Sequence, residues 1–240
     1  MTTLNELGQP VGAALPHWSA PPVPPRTTLA GRYCTLEPLD TRRHAASLFE
    51  ANRADVSGQM WTYLTYGPFA TLQAYSAWMD SVIAGSDPLF FAIVAADGCA
   101  LGIASYLRID PRNGSIEVGS LAYSPQLQRS RIATKAMFLL MQQAFALGYR
   151  RYEWKCNALN HPSRASALRL GFTFEGVFRQ AMIAKGRNRD TAWFSIIDGE
   201  WPQLCAAFEC WLAPETFGAD GTQRARLADL IAAALRTGND

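Results

Sequence analysis

Between Phe90 and Ser124 the spacing along the chain changes from helical to a period of two. FFAIVAA, CALGIASYLRI and GSIEVGSLAYS have strand spacing, and Asp97-Gly98 and Asn113-Gly114 between them are tight-turn signals, so the pattern predicts a three-stranded meander. Upstream, RYCTLEPLD sets Tyr33, Thr35 and Glu37 against Cys34, Leu36 and Pro38, which suits a further half-buried strand. DTRRHAASLFEANR follows it with a cap residue and helical spacing, and TLQAYSAWMDSVI repeats that spacing. Downstream the predicted order is helix, strand, helix, hairpin. RSRIATKAMFLLMQQAFALG stops at Gly148, YRRYEWKCN is a strand, HPSRASALRLG stops at Gly171, and FTFEGVFRQAMIAKGRNRDTAWFSII turns near Gly186.

The two ends read differently. Residues 1–30 are irregular, and APPVPPR at 20–26 lacks the backbone donors of a helix or central strand, so it reads as an extended arm or linker. Residues 199–240 add two helical segments of modest amphipathicity; ARLADLIAAALR suits a lid, an interface such as that of a homodimer, or a cap on the sheet. The expected division is an arm over 1–30, a domain over 31–198 and a helical extension over 199–240.

Composition narrows the classes. With 49% hydrophobic and 18% charged residues the chain has the makeup of an ordinary globular protein, and its apolar runs are too short for a membrane span. A net charge of +2 carries no nucleic-acid footprint. The five cysteines form no CxxC pair and the three histidines lie far apart, so neither a metal site nor a disulfide framework is expected. The amino-terminal stretch has no basic region followed by a long apolar one, which makes the cytoplasm the default location.

The candidate chemistry begins at SPQLQRSRIATKAMFLL, which places Arg129 and Arg131 where a helix starts, the end whose dipole repels cations. An anion resolves that conflict, because the first free amides of a helix and nearby guanidinium groups converge on phosphate. The order of elements, QRSRIA between a strand and a helix, and NHPSRASALRLGF after the next strand resemble the GNAT superfamily of acyl-CoA-dependent N-acetyltransferases, in particular the RimJ/RimL-like branch of ribosomal-protein N-terminal acetyltransferases. The resemblance covers about residues 31–198. It implies a GNAT fold of α/β class: a mixed, mostly antiparallel sheet of about seven strands with helices on both faces, opened between IEVGSLAY and YEWKCN to admit acetyl-CoA.

The family's phosphate-loop pattern, Q/R-x-x-G-x-G/A, is matched at Gln128, Ile132 and Ala133, with Arg131 where glycine is usual. Arginine neither lets the backbone approach phosphate as closely nor takes positive φ as freely. Arg129 and Arg131 are therefore expected to face the pyrophosphate or 3′-phosphate of CoA, with the amides from Ser130 to Thr134 as donors; the alternative is two solvated arginines at a helix start. Pro162 suits a first helical turn, so Asn160 or His161 is the cap. The resemblance implies that Asn160 also reaches the pantetheine arm and that Ser163 lies near the thioester sulfur, placed to protonate the leaving thiolate.

In SIEVGSLAYSP, alternation puts Ile116, Val118 and Ser120 on one face and Glu117, Gly119 and Leu121 on the other, and the mid-strand glycine opens one face to a ligand or marks a bulge. In the family the backbone beyond it pairs with pantetheine, which implies contacts at Leu121 and Tyr123 and oxyanion donors nearby. An amine acceptor is an ammonium at neutral pH and must lose a proton, so Glu117 and Glu153 are candidate bases. The alternative for each is a structural ion pair, with an arginine for Glu117 and with Arg151 or Lys155 for Glu153. Trp61, Tyr63, Tyr66 and Phe69 either wall an acceptor site or pack in the core. Asp190, in the last hairpin, either binds the acceptor ammonium or is solvated. Cys156 lacks a histidine partner and reads as a small buried thiol. The expected reaction is direct acetyl transfer from acetyl-CoA to the primary amine of a small molecule, with a protein amino terminus, or a non-catalytic acyl-CoA-binding module, as alternatives. No metal, nucleic-acid or membrane partner is expected.

Overall fold

The computed structural model describes residues 3–218 and 221–237. A small hairpin of β1 (Thr3–Leu4) and β2 (Pro10–Val11) precedes the main sheet, which contains β3 (Leu29–Ala30), β4 (Cys34–Pro38), β5 (Leu89–Ala95), β6 (Ala100–Asp110), β7 (Ser115–Tyr123), β8 (Arg151–Asn157), β9 (Thr173–Ala184) and β10 (Arg187–Ile197). Their spatial order is β3–β4–β5–β6–β7–β8–β10–β9. Neighbours pair antiparallel except β7 and β8, which run parallel. A parallel pair needs a crossover, and α3 (Arg131–Ala146) supplies it.

Helices α1 (Thr41–Arg53) and α2 (Leu72–Ile83) cover one face, over Leu48, Tyr75, Met79, Phe90, Ala92 and Ile103. Helices α3, α4 (His161–Arg169), α5 (Trp201–Leu212) and α6 (Leu227–Thr237) belong to the other, over Phe91, Ile93, Val118, Leu140, Tyr152 and Phe208. Successive residues of β5 thus enter opposite cores. That is why FFAIVAA is apolar throughout: each face of the strand is roofed by helices.

Local chemistry sets the helix starts. Asp40 accepts from the Arg43 amide at 2.9 Å, Thr71 from Ala74 at 3.1 Å and Ser130 from Ala133 at 3.0 Å, each at a helix N-cap. The arm departs from the irregular reading: it holds the β1–β2 hairpin and contributes β3, so the main sheet has eight strands. Two-residue strands are too short to show a period in sequence. Arm and domain meet where Tyr149 donates to the Pro22 carbonyl at 3.2 Å and Arg150 stacks on Trp18.

Among the roles open to the carboxy-terminal segment, α5 and α6 act as a cap. Phe208 stacks on Phe138 of α3 with ring centroids 5.5 Å apart, Trp201 lies 4.8 Å from Phe145, and Leu227 and Ile231 are buried in the same core. Phe208→Ala should destabilise the protein by about 3–5 kcal/mol, read as a lowered urea midpoint at unchanged slope. A loss below about 1 kcal/mol would show the last helices to be a separable appendage.

Candidate active site

The parallel pairing of β7 with β8 runs from Ser115↔Arg151 to Val118↔Trp154, after which β7 continues to Tyr123 and β8 to Asn157. A bulge in β7 coincides with the parting. On β6, Ser105 faces Gly119 but Ile103 faces Ala122, so three residues of β7 advance against two of β6, and Ser120 takes φ 52. Side chains hold the distorted backbone: Ser105 Oγ donates to the Gly119 carbonyl at 3.1 Å and the Tyr66 hydroxyl to the Ser120 carbonyl at 3.0 Å. A Cβ on Gly119 would fall 2.9 Å from the tip of the Leu107 side chain, so any larger residue here requires Leu107 to move. The bulge also corrects the strict alternation. Leu121 and Tyr123 pack with the core of Ile116 and Val118, while Ala122 enters the opposite one, because the extra residue reverses the phase.

The loop into α3 is built around Arg129, at φ 58, and Ser130, the cap. Gln128 Nε2 turns back to the Tyr123 carbonyl at 2.9 Å, and Ser130 Oγ donates to Leu127 O at 2.7 Å. Of the amides expected to serve phosphate, Ser130 bonds Leu127 O, Ala133 bonds Ser130 Oγ and Thr134 bonds Ser130 O. The amides of Arg131 and Ile132 remain as first-turn donors. Arg131 opens the helix, so the positive φ that would favour glycine falls two residues earlier, at Arg129. The Arg131 guanidinium lies 4.0 Å from the Tyr33 ring centroid and 4.4 Å from that of Phe217, so it is stacked between rings rather than freely solvated. Arg169 from the end of α4 also reaches this helix start, donating to Thr134 Oγ1 at 2.9 Å.

Asn160 caps α4, its Oδ1 accepting from the Ser163 amide at 3.1 Å. Ser163 Oγ in turn accepts from Trp154 Nε1 at 3.0 Å. Trp154 closes the β7–β8 pairing, so this bond pins Ser163 at the point where the strands part, with its hydroxyl proton directed to the Cys156 sulfur. Burial raises the Cys156 thiol pKa, the wrong direction for a nucleophile.

On the opposite face lies a network of charges. Glu117, 3% exposed, accepts from Arg108 Nη1 at 2.7 Å and pairs with Lys155 Nζ at 2.9 Å. Glu153 pairs with the same ammonium at 2.7 Å and with Arg151 at 2.6 Å, and Arg151 continues to Glu175, which accepts from Ser195 Oγ at 2.8 Å. Both candidate bases are therefore in ion pairs. Burial raises the Glu117 pKa, the nearby charges of Lys155 and then Arg108 opposing the shift. Each carboxylate is held between two cations, Glu117 by Arg108 and Lys155 and Glu153 by Lys155 and Arg151, one residue short of the last β7–β8 pair. Lys155 was readable as a residue alternating with Glu153; its reach to Glu117 needed the parallel register.

The aromatic segment forms a roof. Tyr63 donates to Leu159 O at 3.1 Å, and Lys185 at the tip of the β9–β10 hairpin bonds the carbonyls of Trp61 and Gly67 at 2.8 and 3.1 Å. Trp61 itself is buried behind the roof, edge-on to Tyr66 and Phe69, and a Cβ on Gly67 would fall 2.3 Å from its ring. Packing thus takes Trp61 away from the proposed acceptor wall, while Tyr66 stacks on Trp78 and reaches the bulge. Asp190 is occupied within its hairpin: its Oδ1 accepts from the Gln180 amide at 2.7 Å and Asn188 Nδ2 at 3.0 Å, and the Gln180 bond leads in holding its pKa low. Sequence reasoning missed Arg108, Lys185 and Arg169, since Arg108 meets Glu117 only through the β6–β7 pairing and the other two reach partners distant in the chain.

Among the described residues, no group of histidines, cysteines or carboxylates is arranged to hold a metal, and no helix is long and apolar enough to cross a membrane. A family model described as an acetyltransferase (GNAT) domain matches residues 34–173. A GCN5-related N-acetyltransferase from Brucella melitensis is 47% identical, with a TM-score of 0.89 over 91% of this chain and 100% of that one. A probable acetyltransferase of the GNAT family from Chromobacterium violaceum is 42% identical, with a TM-score of 0.76 over 81% and 98%. The N-acetyltransferase p20 of Bacillus licheniformis is 28% identical over 181 residues, 69% of this chain and 99% of its own.

Arg131→Ala should cost about 1–2 kcal/mol through the loss of two ring faces, measured by urea unfolding. Acetyl-CoA affinity should change less than about threefold, since the phosphate donors at this residue are backbone. A large loss of affinity with stability intact would return Arg131 to the phosphates.

Proposed function

We propose the following reaction for this chain, which belongs to the GNAT acetyltransferase family: direct transfer of the acetyl group of acetyl-CoA to the primary amine of a small molecule. The observation that carries it is the parting of β7 and β8 beyond Val118↔Trp154, with Glu117 on one face of the opening and Ser163 pinned on the other by Trp154.

The donor enters from the face of α3 and α4. The Arg131 and Ile132 amides receive the pyrophosphate at the positive end of α3, and pantetheine runs along β7 at Leu121 and Tyr123 towards Asn160. The acceptor enters from the roofed face. Glu117 takes a proton from the ammonium, directly or through a water, and the freed nitrogen attacks the thioester carbon. Backbone N–H groups near 121–123 stabilise the tetrahedral oxyanion. Collapse breaks the C–S bond: Ser163 passes its hydroxyl proton to the thiolate and regains one, through water, from the nitrogen, which sheds its second proton, leaving an acetamide, free CoA and a protonated Glu117 that returns its proton to solvent. Glu153 acts as a positioning residue, holding Lys155 against Glu117.

The bonds from Tyr63 and Lys185 across the roof favour a compact amine over the protein amino termini taken by the RimJ/RimL-like branch, because an entering polypeptide would have to displace them.

The test is release of free thiol from acetyl-CoA with a panel of primary amines, with product mass raised by one acetyl group; no binding of acetyl-CoA at millimolar concentration would overturn the assignment. Because burial raises the Glu117 pKa, its base form is lost as pH falls through a value above the ordinary 4.5, so the acidic limb of kcat should lie above that range. Glu117→Gln should remove this limb and lower kcat by about 10²–10⁴-fold. Ser163→Ala should lower kcat with acetyl-CoA affinity nearly unchanged; equal losses in kcat and in affinity would make Ser163 a packing residue only.

A further inference from the structure

Three buried polar atoms on β10 have no hydrogen-bond partner among the described residues: Arg189 Nε, Thr191 Oγ1 and Trp193 Nε1. They occupy alternating positions and so share one face of the sheet. Register fixes which face: Thr191 stands opposite Asn157, Trp193 opposite Lys155 and Ser195 opposite Glu153. This is the face of the charge network, and Lys155 Nζ lies 3.7 Å over the Trp193 ring. Arg189 lies two residues before Thr191 on β10, on the side of Glu117 and Arg108, whose charges reach it.

Folded proteins pair nearly all of their buried polar groups, so a row of them without partners marks where a ligand completes the bonding. The chemistry of the row is specific. Guanidinium and indole nitrogens only donate, and the threonine hydroxyl can donate, so the missing partner is an acceptor. Charge narrows it further. Around the opening Arg108, Lys155 and Arg151 are matched by Glu117, Glu153 and Glu175 in mutual ion pairs. Arg189 is an additional cation, and Glu117, whose field it feels, is already held by Arg108 and Lys155. An anionic group with two planar oxygens meets both requirements, since it matches the guanidinium fork.

We infer that the acceptor is an amine that also carries a carboxylate, an amino acid or similar aminocarboxylate, with its carboxylate on Arg189, Thr191 and Trp193 and its amino group towards Glu117. This rests on the reading of the cleft as an amine-acetylating site. The phosphates of CoA do not compete for the row, because the helix start that receives them lies on the opposite face.

The test uses matched pairs in which an amino acid is compared with its decarboxylated amine: phenylalanine with phenethylamine, leucine with isoamylamine, lysine with cadaverine. Binding to the CoA-loaded protein is followed by calorimetry and turnover by thiol release. The wild type should prefer the carboxylated member of at least one pair by about tenfold or more in Kd or KM. In Arg189→Gln that preference should collapse towards one, with a smaller fall in Trp193→Phe, while acetyl-CoA affinity stays within about twofold and the folded state is confirmed by an unchanged unfolding midpoint. Acetylation of amines with no preference for a carboxylate in any pair, or no binding by either member of any pair, overturns this inference and leaves the transferase reading standing. A fall in kcat of equal factor for both members in Arg189→Gln also overturns it, by making Arg189 a donor to the oxyanion. Failure to bind acetyl-CoA brings down the transferase reading and this inference with it.

Discussion

Glu117 and Glu153 stand directly opposite each other in the parallel register of β7 and β8, and the Lys155 ammonium between them makes that register tolerable. Two buried carboxylates side by side would repel. A single cation bonded to both at 2.9 and 2.7 Å, itself backed by the Trp193 ring, turns the repulsion into a clamp. The clamp lies one pair before Val118↔Trp154, where the strands part. It therefore holds closed the end of the opening from which the rest of the site is measured, and it presents Glu117 at that end with its pKa raised by burial.

The opening is maintained by backbone that most residues avoid. Arg108, Ser120, Arg129 and Gln180 all take positive φ, conformations that cost of order 1–3 kcal/mol each when strained and persist only where surroundings hold them. Each is held by side chains. Asp87 accepts from the Arg108 amide at 3.0 Å, Tyr66 bonds the Ser120 carbonyl, Ser130 and Gln128 fasten the loop around Arg129, and Asp190 accepts from the Gln180 amide. Asp190 thus contributes to the site by shaping the hairpin whose Lys185 closes the roof.

The two faces of the sheet divide the labour of an acetyltransferase. On the α3–α4 face, a helix start with free amides and a serine fixed by Trp154 suit an anionic thioester donor. On the α1–α2 face, a carboxylate in a cationic setting and a roof tied down at Tyr63 and Lys185 suit a small acceptor. Arg131 shows how a departure from the family's glycine is accommodated: its side chain is drawn out between Tyr33 and Phe217, and its amide stays at the helix start. The substitution thereby ties the donor loop to the carboxy-terminal segment, which also caps α3 through Phe208.

The sequence alone determined the order of elements, because period-two and helical patterns, Gly stops and polar caps are local properties: the meander, the cap at Asn160 and the final hairpin were all legible. It also singled out the loop before α3, whose residue types carry the family resemblance. Tertiary structure decided what depends on register. Alternation could not foresee that the bulge at Ser120 would carry Leu121 into the other core, nor that Trp61 would turn inward while Tyr66 reached the strand. Composition showed many arginines but not which were matched; only the pairing of β7, β8 and β10 joined Lys155 to Glu117 and left Arg189 without a carboxylate. A pattern along the chain records which face a residue takes, whereas its partner is set by how distant strands align, and one extra residue in a strand changes that alignment.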